Sequence, residues 1–128
     1  MNRNEFGLVK NFTSAGAIGI RRCVAFDVVE GQVRQGAAAA DKLVGVTGII
    51  GTLAAGERID VLMDGNRALE AGGAFAQGDY LVSDAQGRVV LAAPGAGVTV
   101  YTIGQALEAS GAVGQIVTVH ITKIALRG

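Results

Sequence analysis

Two stretches of this chain repeat one pattern about sixty residues apart, and this duplication constrains the fold more than any other feature. They are VGVTGIIGTLAAGERIDVLM, residues 44–63, and IGQALEASGAVGQIVTVHI, residues 103–121. Each begins with a β-branched residue and Gly, continues through a Gly-Ala-rich segment, and reaches Gly followed by Glu or Gln before a run of alternating apolar residues. A preceding hairpin also matches when Gly31 is aligned on Gly87. A unit of about 58 residues therefore occurs twice.

The spacing of the strand signals predicts an all-β fold. Short β-branched runs recur about every eight to twelve residues between Gly-containing turns, and no segment sustains the helical period of about 3.6 residues. One unit has too few strands to bury both of its faces, whereas two units can close on each other and leave no free edge. We predict a small Gly-rich β-barrel or sandwich made of two similar units, residues 20–63 and 76–121, within a single β domain over residues 20–128.

Residues 1–19 differ from the rest of the chain, and we interpret them as an extended N-terminal arm. Polar residues alternate there with Phe6, Leu8, Val9 and Phe12 before the segment ends in TSAGAIG. Chain termini commonly fray, but a frayed terminus seldom carries so many large apolar side chains. We therefore expect the arm to dock on its own domain or on a neighbouring molecule.

The charge balance argues against nucleic-acid binding. Eleven basic and eleven acidic residues give a formal net charge of zero, and no basic stripe is present for phosphate contacts. A neutral surface has little self-repulsion, which suits a protein that lies beside copies of itself or on another protein. The chain has neither a run of about eighteen apolar residues for a membrane span nor the apolar core of a signal peptide. We expect synthesis in the cytoplasm of the producing cell and no membrane partner.

Residue types that carry catalysis or bind metals are few and isolated. His120 is the only histidine, and it alternates with apolar residues on a predicted strand without a metal-binding spacing. Cys23, the only cysteine, opens an apolar strand with no motif that supplies a base, so we expect a buried inert thiol. Asp64-Gly65-Asn66 starts like a calcium loop, but the later ligands are missing. We predict no catalytic, cofactor or metal site, and infer that the chain presents a binding surface.

Several motifs in the second half of the chain are shared with a known family. They are EAGGA at residues 70–74, Gly78-Asp79, DAQGR at residues 84–88 and IGQALEA at residues 103–109, followed by the alternating strand that ends at Ile121. Together with VGV at residues 44–46, they make residues 43–121 resemble the small capsid decoration, or cement, proteins of tailed bacteriophages. Residues 1–20 match no pattern of that family.

The resemblance implies a β-rich protein, without catalytic residues or cofactors, on the outer capsid surface of the virion. Such proteins bind the mature phage head, with the major capsid protein as partner and often as homotrimers, and stabilise the shell against the pressure of the packaged DNA. The arm then becomes the predicted contact. We expect Phe6, Leu8, Val9 and Phe12 to touch a capsid protein or a neighbouring subunit, so that many copies bridge neighbouring capsid subunits.

The residues alone leave other functions open. The same surfaces would serve a structural subunit of another homo-oligomeric assembly, such as a tail or a ring. A carbohydrate- or ligand-binding β module would have few aromatic side chains to stack on a sugar, because the chain has no Trp and two Tyr. An enzyme would need a pocket in which acid and base side chains converge.

Overall fold

The structure, a computed structural model, describes residues 8–128, and these residues form strands and turns without a helix. The strands are β1 (Val9–Ser14), β2 (Cys23–Phe26), β3 (Gln32–Gln35), β4 (Leu43–Val46), β5 (Arg58–Leu62), β6 (Asn66–Glu70), β7 (Tyr80–Ser83), β8 (Val89–Leu91), β9 (Thr99–Tyr101), β10 (Gly104–Ala106), β11 (Ile116–Ile121) and β12 (Ala125–Arg127). The β-branched and apolar runs of the sequence account for these strands, and glycines punctuate the turns between them.

The first unit, β1 to β5, is a closed barrel with the strand order β1-β3-β2-β4-β5. All neighbours are antiparallel except β1 and β3, which run parallel with Thr13 opposite Gln32. The longest contact is between β1 and β5, where five residues pair and Phe12 lies opposite Ile59. The first strand therefore closes the barrel by pairing on both of its edges.

The second unit repeats this arrangement with β6, β11, β10, β7 and β8 as neighbours in that order. Its first strand, β6, pairs antiparallel with β11 as β1 does with β5. A parallel bridge between Ala71 and Val89, just after β6, joins the two ends of the sheet where the first unit has the β1–β3 contact. The remaining strands, β9 and β12, form a separate antiparallel pair.

The Gly-Glu and Gly-Gln dipeptides of the repeat have the same conformation and make the same hydrogen bond in the two units. Gly56 and Gly114 have φ values of 87° and 89°, a left-handed conformation that glycine adopts without steric cost. The next side chains, Glu57 and Gln115, each use Oε1 to accept the backbone N–H of the residue four positions earlier, at 2.9 and 3.0 Å. The dipeptide thus ends the Gly-Ala-rich loop and sets the start of β5 and β11.

The glycine of each Val-Gly or Ile-Gly pair is required by a close approach of two strands. A Cβ placed on Gly45 would collide with the carbonyl oxygen of Leu62, and one on Gly104 would collide with that of His120. Leu62 and His120 occupy equivalent positions at the ends of β5 and β11. The repeated glycine therefore allows β4 and β10 to cross tightly over their neighbours.

The two units also share the positions of their buried side chains. The core of the first unit consists of Phe12, Ile18, Val24, Val33, Val44, Ile59 and Val61. The corresponding positions of the second unit carry Leu69, Phe75, Leu81, Val89, Ile103, Val117 and Val119. The second cluster continues into Cys23, Ala25, Leu43 and Val46, which lie on the other face of the first unit's strands, so it also fills the contact between the units.

Polar contacts join the two units around this apolar layer. Arg22 of the first unit forms an ion pair with Glu70 of the second at 3.1 Å, and Arg88 approaches the same carboxylate at 4.0 Å. The Nζ of Lys123 donates to the carbonyl oxygen of Val44 at 2.6 Å, and burial lowers the pKa of this ammonium group. These polar contacts surround the apolar layer between the units.

The all-β fold of two similar units is confirmed, but each unit begins earlier than the sequence indicated. Residues 9–14, assigned to the arm, form the first strand of the barrel, and β6 is its counterpart. The repeats therefore span about residues 9–62 and 66–121. Each closes through its own first strand, which is why the two units do not need to close on each other. A separate arm stays a prediction for residues 1–7, which lie outside the described residues.

Substitution at the tight crossing should destabilise the protein. Gly104→Ala places a methyl group against the backbone of β11, and we expect the free energy of unfolding to fall by about 1–3 kcal/mol. Urea denaturation followed by circular dichroism measures the change. Gly16→Ala is the control, because a Cβ at Gly16 meets no atom within 4 Å. Equal stability of the two variants would contradict the close-approach argument.

Candidate functional site

One end of the first unit exposes a group of large apolar side chains. Phe26, the last residue of β2, and Val29 in the turn that follows are about half exposed, and Val28 in the same turn is 98% exposed. Leu8 and Val9, at the start of β1, are exposed to a similar degree. We call these five residues the apolar tip.

The start of β1 and the β2–β3 turn lie at the same end of the barrel. Because β1 runs parallel to β3 with Thr13 opposite Gln32, the residues before Thr13 extend past the start of β3 towards the turn. A groove of about 390 Å³ lies between them, lined by Lys10 and Phe12 on one side and by Phe26 and Val29 on the other. Leu8 and Val9 precede this groove on β1 and lie at the same end of the barrel as the turn.

Backbone contacts hold the start of β1 in place. The N–H of Leu8 donates to a side-chain oxygen of Asp64, and the carbonyl oxygen of Leu8 accepts the N–H of Met63 at 2.7 Å. Val9 lies opposite Leu62 in the β1–β5 pair. The exposed side chains of Leu8 and Val9 are thus presented by an anchored strand.

The equivalent turn of the second unit, between β7 and β8, is polar and packs on the first unit. Asp84 accepts the N–H groups of Gln86 and Arg88 at 2.9 and 2.8 Å, and Arg88 Nε donates to it at 3.1 Å. The carbonyl oxygen of Gly87 accepts the N–H of Cys23, so this turn packs on the first unit. The second unit has Ala85 and Gln86 where the first unit has Val28, Val29 and Glu30, so only the first unit exposes large apolar side chains at this turn.

The structure separates the four residues predicted to make contact. Phe6 lies outside the described residues. Leu8 and Val9 belong to the apolar tip, and their contact role stays a prediction. The Phe12 ring is 9% exposed and packs in the core of the first unit, with the Lys10 ammonium 5.6 Å from its centroid. Phe12 is therefore corrected to a core residue, because inward-facing positions alternate with outward-facing ones along β1.

Phe26, Val28 and Val29 were not predicted as contact residues. The sequence reads as a strand followed by a hairpin turn, and valine is common in strands. A signal was nonetheless present: two adjacent valines occupy a turn where the second copy of the repeat has Ala85 and Gln86. Their degree of exposure depends on where the strand ends.

The side chains that could carry catalysis or bind a metal lie far apart in the fold. Cys23 is fully buried, and desolvation raises the pKa of its thiol to about 12. His120 is exposed, with Nδ1 2.9 Å from Asn66 Oδ1. Among residues 8–128, no group of three His, Cys, Asp or Glu side chains could hold a metal ion. The same part of the chain contains no helix long and apolar enough to cross a membrane.

These features define a small two-unit β protein that presents an apolar surface at one end. Its sequence matches the family model described as phage cement protein over residues 7–121. The chain therefore belongs to the phage cement protein family, and its role is that of a structural, capsid-associated protein of a phage particle.

A solved structure supports the fold. The chain is similar to the crystal structure of the head fiber gp8.5 N base in bacteriophage phi29, with a TM-score of 0.63 and 16% sequence identity. The similarity covers 90% of this chain and 93% of that chain. At this identity the match concerns the fold alone. None of the curated proteins matches the sequence.

The thiol of Cys23 should be inert in the folded protein. With a pKa raised to about 12, roughly one thiol in ten thousand is ionised at a pH of about 8, and burial blocks access as well. We expect no reaction with an aromatic disulfide reagent until urea unfolds the chain. Val28→Cys in a Cys23→Ser background is the exposed control and should react at once. A native Cys23 that reacts as fast as this control would contradict the burial.

Proposed function

We propose that the protein binds the outer surface of the mature capsid and stabilises the shell by bridging neighbouring major capsid proteins. Membership of the cement family supports a capsid partner. The observation that carries the proposal is the apolar tip, where Val28 is almost fully exposed while the equivalent turn of the second unit is polar. A soluble monomer gains nothing from such a group of side chains, whereas a docking surface does.

The tip can supply useful but modest binding energy. Burying one Val or Leu side chain contributes about 1.5–3 kcal/mol, so a few such residues give a weak single contact after the costs of association. Repetition of that contact over the capsid lattice strengthens the whole shell, and a homotrimer raises the effective concentration of each tip. If the surface that receives the tip forms only on capsid expansion, binding stabilises the expanded state by linkage.

Charges introduced into the apolar tip should weaken capsid binding without unfolding the protein. We expect Val28→Asp/Val29→Asp to weaken binding to mature, undecorated capsids by more than about tenfold, because two apolar contacts are lost and two charges are desolvated. Co-sedimentation with capsids measures the change, and thermal unfolding checks the fold.

The matched control is Ala85→Asp/Gln86→Asp in the equivalent turn of the second unit, which should bind like the unmodified protein. Unexpanded procapsids test whether binding needs expansion. Absence of binding to either shell would remove the proposal, and the domain would then be tested as a subunit of another assembly. Equal binding by both double variants would move the contact away from the apolar tip.

A further inference from the structure

The two units differ along one edge of β5 and of its counterpart β11, the edge that faces away from β1 and β6. In the second unit, β10 pairs with β11 through three residues, and the chain then continues along β11. Leu107 N–H donates to Thr118 O at 2.9 Å, and Glu108 Oε1 accepts Thr118 N–H at 2.8 Å. In the first unit, β4 pairs with β5 only through Val46 and Leu62. Among residues 8–128, the edge of β5 before Leu62 is therefore left without a partner strand.

The sequence explains why this edge stays open. Four residues separate Thr47 from Thr52, whereas three separate Ala106 from Ser110 at the equivalent place. The longer loop diverges from β5, and it carries Ile49 and Ile50 where the second unit offers the carboxylate of Glu108. In the β1–β5 ladder, Ser14 bonds Glu57 and Met63 bonds Leu8. Because hydrogen-bonded and non-hydrogen-bonded pairs alternate in an antiparallel ladder, the backbone N–H and C=O of Asp60, the counterpart of Thr118, point away from β1 towards the uncovered edge.

The open edge forms a groove with an apolar wall and a charged floor. The groove has a volume of about 350 Å³ and includes Ile49 and Ile50, each 75% exposed. Arg58 and Asp60 lie on the outward face of β5 and contact Thr13 and Asn11 of β1, but neither forms an ion pair with any residue from 8 to 128. An extended segment with opposite charges two residues apart would satisfy both the backbone and the side chains.

We propose that residues 2–6 of a second copy of this chain add to the edge of β5 as an antiparallel strand. Their sequence is NRNEF, with Arg3 and Glu5 two residues apart. Antiparallel pairing with Arg3 opposite Asp60 also places Glu5 opposite Arg58. Parallel pairing would instead oppose like charges, which is destabilising.

This antiparallel pairing requires a second copy, because residues 2–6 cannot reach the same edge of β5 in their own chain. Leu8 lies beside Met63, five residues beyond Arg58 along β5 and therefore about 16 Å away. Residues 5 and 8 of one chain can be at most about 11 Å apart. The contact is thus head-to-tail, and repetition of such a contact closes a ring when the rotation allows. It gives the predicted trimer a specific interface and concerns self-association, not capsid binding.

The test measures self-association of the purified full chain by sedimentation equilibrium over a range of concentrations. Glu5→Arg and Arg58→Glu should each weaken association by about fivefold or more, since each replaces an opposite-charge pair by a like-charge pair. The double variant exchanges the charges and should restore association, the signature of direct contact. Arg127→Glu, which makes the same charge change on exposed β12, should leave association unchanged.

A second variant closes the groove without touching the charges. Replacing residues 48–51 by Leu-Glu-Ala, the sequence between Ala106 and Ser110, should let the loop cover Asp60 as it covers Thr118. We expect this variant and a deletion of residues 2–6 to be monomeric, folded, and able to bind capsids at their apolar tip.

Three results would each overturn the proposal. They are a monomeric unmodified chain at every concentration, unchanged association after deletion of residues 2–6, and failure of the charge exchange to restore association. If the loop replacement abolished capsid binding while the deletion did not, the occupant of the edge would be a strand of the capsid protein. Loss of capsid binding by the apolar-tip variant alone tests the proposed function separately.

Discussion

Closure of each unit by its first strand is the interaction on which the rest of this structure depends. Five short strands cannot bury a core as an open sheet, because both faces and both edges would meet water. In the first unit β1 pairs with β5 on one side and with β3 on the other, and in the second unit β6 and the Ala71–Val89 bridge do the same. Once closed, each unit holds seven equivalent buried apolar side chains.

The two units keep one scaffold but differ at equivalent surface positions. The β7–β8 turn is polar and packs against the first unit, where Arg22, Glu70 and Arg88 form half-buried ion pairs. The β2–β3 turn is free and carries most of the apolar tip. The loop after β10 lies along β11, whereas the loop after β4 leaves β5 uncovered. Function in a protein of this kind lies in such differences between equivalent positions, because the shared positions are occupied by turns and core.

The chemistry of the chain is consistent with a structural member of the cement family. The buried thiol of Cys23 fills space beside the contact between the units, and exposed His120 is hydrogen-bonded to a neighbouring strand. The remaining distinctive features are surfaces: an apolar tip at one end of the first unit, and an edge of β5 with two charges that residues 8–128 leave unpaired. A protein that stabilises a lattice needs contacts of this kind in several directions, since each copy must bind more than one neighbour.

The sequence by itself determined the fold class, the duplication and the glycines that make it possible. Strand periodicity is local, and Gly56 and Gly114 adopt the positive φ that a turn before a strand requires, so these features could be predicted. The contacts that exclude a Cβ at Gly45 and Gly104 come from the neighbouring strands and belong to the tertiary structure. Only the tertiary structure decided that β1 belongs to the barrel, because its partners β3 and β5 are distant in the chain. For the same reason Phe12 became core while Val28 became surface. Strand pairing decides which side chains of a strand point into the core, and no local sequence pattern specifies which strands pair.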